Sequence, residues 1–176
     1  VFRLRYFVFC MWNVLFALSA LLAVMTPSDV LHHEWAEKWV ESILTLIPEL
    51  LDVPNESHAV QVVPFYHATM IALMLVFVPL SIFGGVRLPS VEREKIYANF
   101  PEKMKWVWIF VISIVGVCGA LIVLKVGYVQ GKGSILWYSR FHLFFGGYLP
   151  YLVIAFSSYC AAVAVCGFRE YSRENG

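Results

Sequence analysis

The chain has 176 residues, of which 60% are hydrophobic and 14% charged, with a formal net charge of +1. A soluble domain carries about a quarter charged residues, so this composition points to lipid; the near-balanced charge also lacks the Lys and Arg excess that a nucleic-acid surface needs. Cys10, Cys118, Cys160 and Cys166 lie in or at the ends of apolar stretches with no C-x-x-C pair, which reads as small packing residues rather than a disulfide framework or a zinc site.

Four stretches free of Asp, Glu, Lys and Arg, at about residues 6–25, 62–83, 106–124 and 141–168, are long enough to cross hydrocarbon ~30 Å thick at 1.5 Å per residue. Only structures that satisfy their own backbone hydrogen bonds survive there. The predicted fold class is therefore all-α: a polytopic integral membrane protein, one domain over residues 1–176, built as a four-transmembrane-helix bundle. The first stretch follows Arg3 and Arg5 as a signal sequence does. It is nevertheless long for such a segment and has no clear A-x-A-like site, so it reads as a retained span.

The first connection, residues 26–61, sets Asp29, Glu34, Glu37, Glu41, Glu49, Asp52 and Glu56 against Lys38 alone. Leu31, Trp35, Trp39, Ile43, Leu46, Ile47 and Leu50 recur at three- and four-residue spacing, which predicts an amphipathic helix over about residues 28–47 with Ser28 as N-cap. Its acidic face argues against anionic lipid. Capping of the bundle is the plain reading, and docking of a partner through Trp35, Trp39 and Ile43 is the functional one. Asn55-Glu56-Ser57 matches the N-glycosylation pattern.

Along the second span Pro64 and Pro79 predict local kinks, as Pro150 does in the fourth. The second connection reads as a short helix opened by Pro89 and Ser90 and closed before Pro101. Trp106 and Trp108 open the third span as interfacial anchors. Small residues follow: Gly116, Gly119 and Ala120 on span three, and Ala155, Ser158 and Ala162 on span four. Close helix approach in lipid depends on such positions, so these two spans are expected to pack together. The third connection, residues 127–139, reads as a glycine-rich loop whose Gly-Lys-Gly-Ser lacks phosphate-loop spacing.

Orientation follows from Lys and Arg near the spans. Arg3, Arg5, Arg87, Arg93, Lys95, Lys103, Lys105, Arg169 and Arg173 fall on one side, against Lys38, Lys125, Lys132 and Arg140 on the other. Both termini are expected to be cytoplasmic.

All five histidines fall toward the opposite side, and His67 and His142, on spans two and four, are the candidate cofactor ligands, for haem or copper. The plain reading needs no cofactor, because interfacial histidines tolerate water and no ligand motif is present. The spans carry no charged side chain of the kind that intramembrane catalysis or proton coupling uses, and neither H-E-x-x-H nor G-x-S-x-G occurs. These features point to a non-enzymatic protein whose partners are the bilayer and another membrane protein or a second copy, with no nucleic acid. It would act as an accessory subunit, an assembly factor or a blocker of a pore. In span count and length the chain is similar to immunity proteins against pore-forming bacteriocins, a likeness that involves no shared motif. A haem or copper redox subunit and a small channel or carrier are the rival expectations.

Overall fold

The computed structural model describes residues 2–45, 59–97, 102–129 and 139–174, all of them helical or in short turns, with no strand among them. Its long helices are α1 (Phe2–Met25), α3 (Val62–Val86), α5 (Glu102–Val129) and α7 (Leu149–Glu174). Three segments are long and apolar enough to cross a membrane: Val62–Val86, Trp106–Leu124 and Arg140–Arg173; within α1 the stretch Phe9–Met25 is apolar but shorter. The observed α3 overruns the expected 62–83 by Gly84, Gly85 and Val86, and α5 overruns 106–124 at both ends, where helix continues through charged residues such as Glu102 and Lys125.

The second short helix, α4 (Ser90–Tyr97), follows Pro89, whose carbonyl accepts from the backbone N–H groups of Glu92 and Arg93. This matches the helix expected in the second connection. The helix of the first connection is displaced from its expected bounds. A 3-10 turn occupies Val30–His32, and α2 runs Glu34–Leu44 with His33 rather than Ser28 at its N-cap. Ser28 lies six residues before the start of α2, separated from it by the 3-10 turn, and its hydroxyl instead accepts a hydrogen bond from Arg140 Nη2, at 3.1 Å. The continuation expected to residue 47, the Asn55 pattern and the loop at residues 130–138 lie outside the described residues.

Pro64 falls in the first turn of α3, where an absent N–H is not missed. Pro150 acts differently. It cannot donate to the carbonyl of Gly146, and the backbone N–H of Tyr148 does so instead, at the end of a π-helical turn over Leu143–Gly147 that joins the single turn α6 (Arg140–His142) to α7. The fourth apolar stretch is thus one helical rod with a widened turn near its start.

Side-chain pairings fix the relative directions. Ser19 of α1 meets Tyr66 of α3, while Trp12 meets Phe156 and Tyr159, and Phe16 meets Phe144 and Tyr148, so α1 runs against α7. Tyr66 lies by Gly147 and Gly85 by Ala162, so α3 runs with α7. Gly116 faces Ser157 and Trp106 faces Gly167, so α5 runs against it. On α5 the buried Trp106, Ser113 and Ala120 recur every seventh residue, with the less buried Ile109 and Gly116 between them, the seam of a left-handed helix pair. Trp106 is only 5% exposed, whereas Trp108 is 52% exposed. Of the two expected anchors, Trp106 is instead a packing residue, because Gly167 leaves room for its ring.

Two apolar clusters result. The larger joins α1, α2, α3 and the start of the α6–α7 rod through residues such as Leu15, Val63, Met70 and Leu143; the smaller joins Leu88, Trp106, Val163 and Ala164 at the α4 end. The α4 end is also pinned by Arg93, whose Nη2 donates to Glu170 Oε1 at 2.9 Å.

Candidate functional site: a polar core beneath the α2 cap

Polar side chains in an apolar bundle must find partners, since an unsatisfied group away from water costs free energy comparable to a lost hydrogen bond. Near the α2 end they find one another. Tyr66 Oη and Ser19 Oγ share a hydrogen bond of 2.6 Å between α3 and α1, and His67 Nδ1 and Tyr151 Oη share one of 2.6 Å between α3 and α7. All four residues are at most 1% exposed. The rings of Tyr66 and His67 meet edge to face at 5.0 Å. Gly147, in the π-helical turn, admits the phenol: a Cβ there would sit 3.1 Å from Tyr66 Oη. Such widened turns are frequent at functional sites.

The α2 segment closes this core from above. It buries Ala36 and Val40, with Ile43 partly buried against the main cluster. Trp39 Nε1 donates to Thr69 Oγ1 at 3.2 Å, and the Trp35 ring meets Phe65 edge to face at 5.8 Å. Gln61, at the start of α3, holds the preceding 3-10 turn: its Oε1 accepts from the Leu31 N–H at 3.1 Å, and its Nε2 lies 3.1 Å from His32 Nε2. On the outer face Glu34, Glu37 and Glu41 are exposed, and Trp35 is 62% exposed. Arg140 locks the neighbouring corner. Its Nη1 donates to the carbonyl oxygen of Val24 at 3.0 Å, supplying a cation at the C-terminus of α1.

The expected site residues separate into groups. His67 belongs to the buried core, and its Nδ1 is occupied by Tyr151. His142 is half-buried in α6, its Nδ1 2.8 Å from Ser139 Oγ. Among the described residues no three His, Cys, Asp or Glu side chains assemble as a metal-binding group. Trp35, Trp39 and Ile43 lie together along α2, yet the stripe turned inward is Ala36 and Val40, so the tryptophans flank the contact and do not fill it. Of the small residues, Gly116 faces Ser157 across the α5–α7 seam, where a Cβ would collide with the serine hydroxyl, and Ala120 and Ala155 are buried. Ala162 instead meets Gly85 of α3, Ser158 turns its hydroxyl to the Ile154 carbonyl, and Gly119 faces open space.

Sequence reasoning passed over Ser19, Tyr66 and Tyr151. Their one signal was a hydroxyl within an apolar run, which does not say which helices it joins. No family model, curated protein or solved structure matches this chain.

Proposed function

We propose that this protein is a four-span integral membrane protein, both termini cytoplasmic, that acts by binding another membrane protein as an accessory subunit, an assembly factor or an immunity-type blocker of a pore. The span count draws support from α1, a 24-residue helix packed with the apolar segments that are long enough to cross a membrane. The orientation draws support from the excess of Lys and Arg at the α4 end.

The observation that carries the docking role is α2 itself. It is fastened through Ala36, Val40 and Trp39, and its approach is held by Gln61, so its acidic row and Trp35 are presented without further ordering cost. A partner suited to this face offers basic side chains around an apolar pocket. Aromatic anchors with charged neighbours are the usual basis of such contacts.

The test is purification from the native membrane in mild detergent, with mass spectrometry of what accompanies the chain. A stoichiometric membrane partner is expected, and Trp35→Ala combined with Glu37→Lys and Glu41→Lys is expected to lose it while helicity is unchanged. A chain that purifies alone, or keeps its partner through all three substitutions, overturns the reading.

A further inference from the structure

A groove of about 460 Å³ opens sideways between α3, α5 and α7. Its floor is Ser158, Ala161 and Val165 of α7, and its walls include Val86 of α3 and Ile114 and Val117 of α5. It meets a second cleft of about 280 Å³ at Val165, which runs on between Val107, Phe110 and Phe168 toward the α4 end. The joined groove follows one flank of the α5–α7 seam.

Two features decide its chemistry. The first is the scarcity of polar groups on its lining: Ser113 donates to the Ile109 carbonyl at 2.7 Å and Ser158 to the Ile154 carbonyl at 2.8 Å, and the third hydroxyl, that of Ser157, lies against Gly116 of α5. A partner span drawn to this floor by interhelical hydrogen bonds would find those donors spent, whereas a hydrocarbon chain needs none. The second is charge at one end only. Val165, Arg169 and Arg173 follow one another at four-residue intervals and so share a face of α7, and both arginines are exposed. Arg87 follows the wall residue Val86, its guanidinium 5.1 Å from the centre of the Phe83 ring.

An apolar groove leading to paired cations fits a molecule with a long hydrocarbon tail and an anionic head. We propose that the groove binds an anionic phospholipid, one acyl chain lying over Ala161 and Val165 and the phosphate on Arg169 and Arg173. This goes beyond the docking role proposed for α2 and uses none of its residues.

Native mass spectrometry of the full chain, with phosphatidylglycerol or phosphatidylcholine of identical acyl chains added, tests it. Phosphatidylglycerol is expected to be retained about tenfold more than phosphatidylcholine, and Arg169→Gln with Arg173→Gln is expected to remove that preference. Ala161→Phe, which fills the floor, is expected to reduce retention of both lipids; should it lose helicity, Ile114→Phe on the facing wall takes its place. Equal retention of the two lipids by the unaltered chain overturns the proposal. So does full phosphatidylglycerol retention with the groove filled, or a cross-link from Cys118 or Cys166, which also line the groove, to a second protein.

Discussion

Both α3 and α5 lie along α7, but their means of attachment differ. The α3–α7 contact is braced twice: the His67–Tyr151 hydrogen bond and the Tyr66–Gly147 approach hold one end, and at the other Gly85 brings the two backbones together. Beyond the end of α3, Arg93 ties α4 to α7 through Glu170. Along the α5–α7 contact a seven-residue stripe sets Gly116 against Ser157 and Gly167 against Trp106. The outward side of α5 is apolar and exposed at Ile112, Val115 and Ile122. The unit of α1, α3 and α7 is therefore cross-linked, whereas α5 is seated on it.

The comparison breaks most visibly at its glycines. A Cβ on Gly85 would lie 2.7 Å from the Tyr159 carbonyl oxygen and 2.8 Å from Ala162 Cβ. A backbone atom cannot swing aside, so Gly85→Val must part α3 from α7 and is expected to cost about 3 kcal/mol, the upper part of the range for overpacking. At Gly116 the obstacle is a serine side chain, and Gly116→Val is expected to cost about 1–2 kcal/mol, mainly by loosening α5. Unfolding by dodecyl sulfate titration, followed by helicity, ranks the two. If Gly116→Val proves the worse, α5 is a structural member and the contrast fails.

The braces themselves are expected to contribute less. Ser19→Ala, Tyr66→Phe and the double variant form a cycle that isolates the 2.6 Å bond between α1 and α3. The expected coupling is about 0.6–1.7 kcal/mol, the range for polar pairs inside membrane bundles. A coupling near zero in the same titration would mean that α1 is held by its aromatic contacts at Trp12 and Phe16, and that the polar core contributes little to cross-linking.

The three long apolar segments were legible because hydrocarbon thickness and backbone satisfaction leave few alternatives, and α4 because Pro89 and Ser90 mark its start. What escaped was pairing at a distance. Ser28 has the right chemistry for an N-cap, yet the helix starts six residues later, after a 3-10 turn, and Ser28 receives Arg140 from a remote part of the chain. Trp106 has the right position for an interfacial anchor, but the belt rule reports depth and is silent about which side of a helix a ring occupies. The π-helical turn left a partial trace in Gly146, Gly147 and Pro150, which signalled a disturbed helix without its form. Gly116 meets Ser157 between α5 and α7, whereas Ala162, expected in the same contact, meets Gly85 of α3, so α7 serves two neighbours. His67 drew notice as a candidate cofactor ligand, and the hydrogen bond that it shares with Tyr151 had no signal in the sequence.

The smallest expected effect sharpens the contrast most. Gly119 resembles Gly116 in the sequence, three residues further along the same helix, yet a Cβ there meets nothing within 4 Å. Gly119→Leu is therefore expected to lose no stability to packing, and to gain at most about 1 kcal/mol from higher helix propensity, although leucine is a far larger side chain. The same variant reads out more than stability. A bare glycine on an exposed helix face is where another helix can come close. If Gly119→Leu does not weaken the protein in the dodecyl sulfate titration but removes a partner or a second copy in mild detergent, the outward side of α5 is an interface. If it alters neither, Gly119 is not part of an interface, and α2 remains the proposed docking surface.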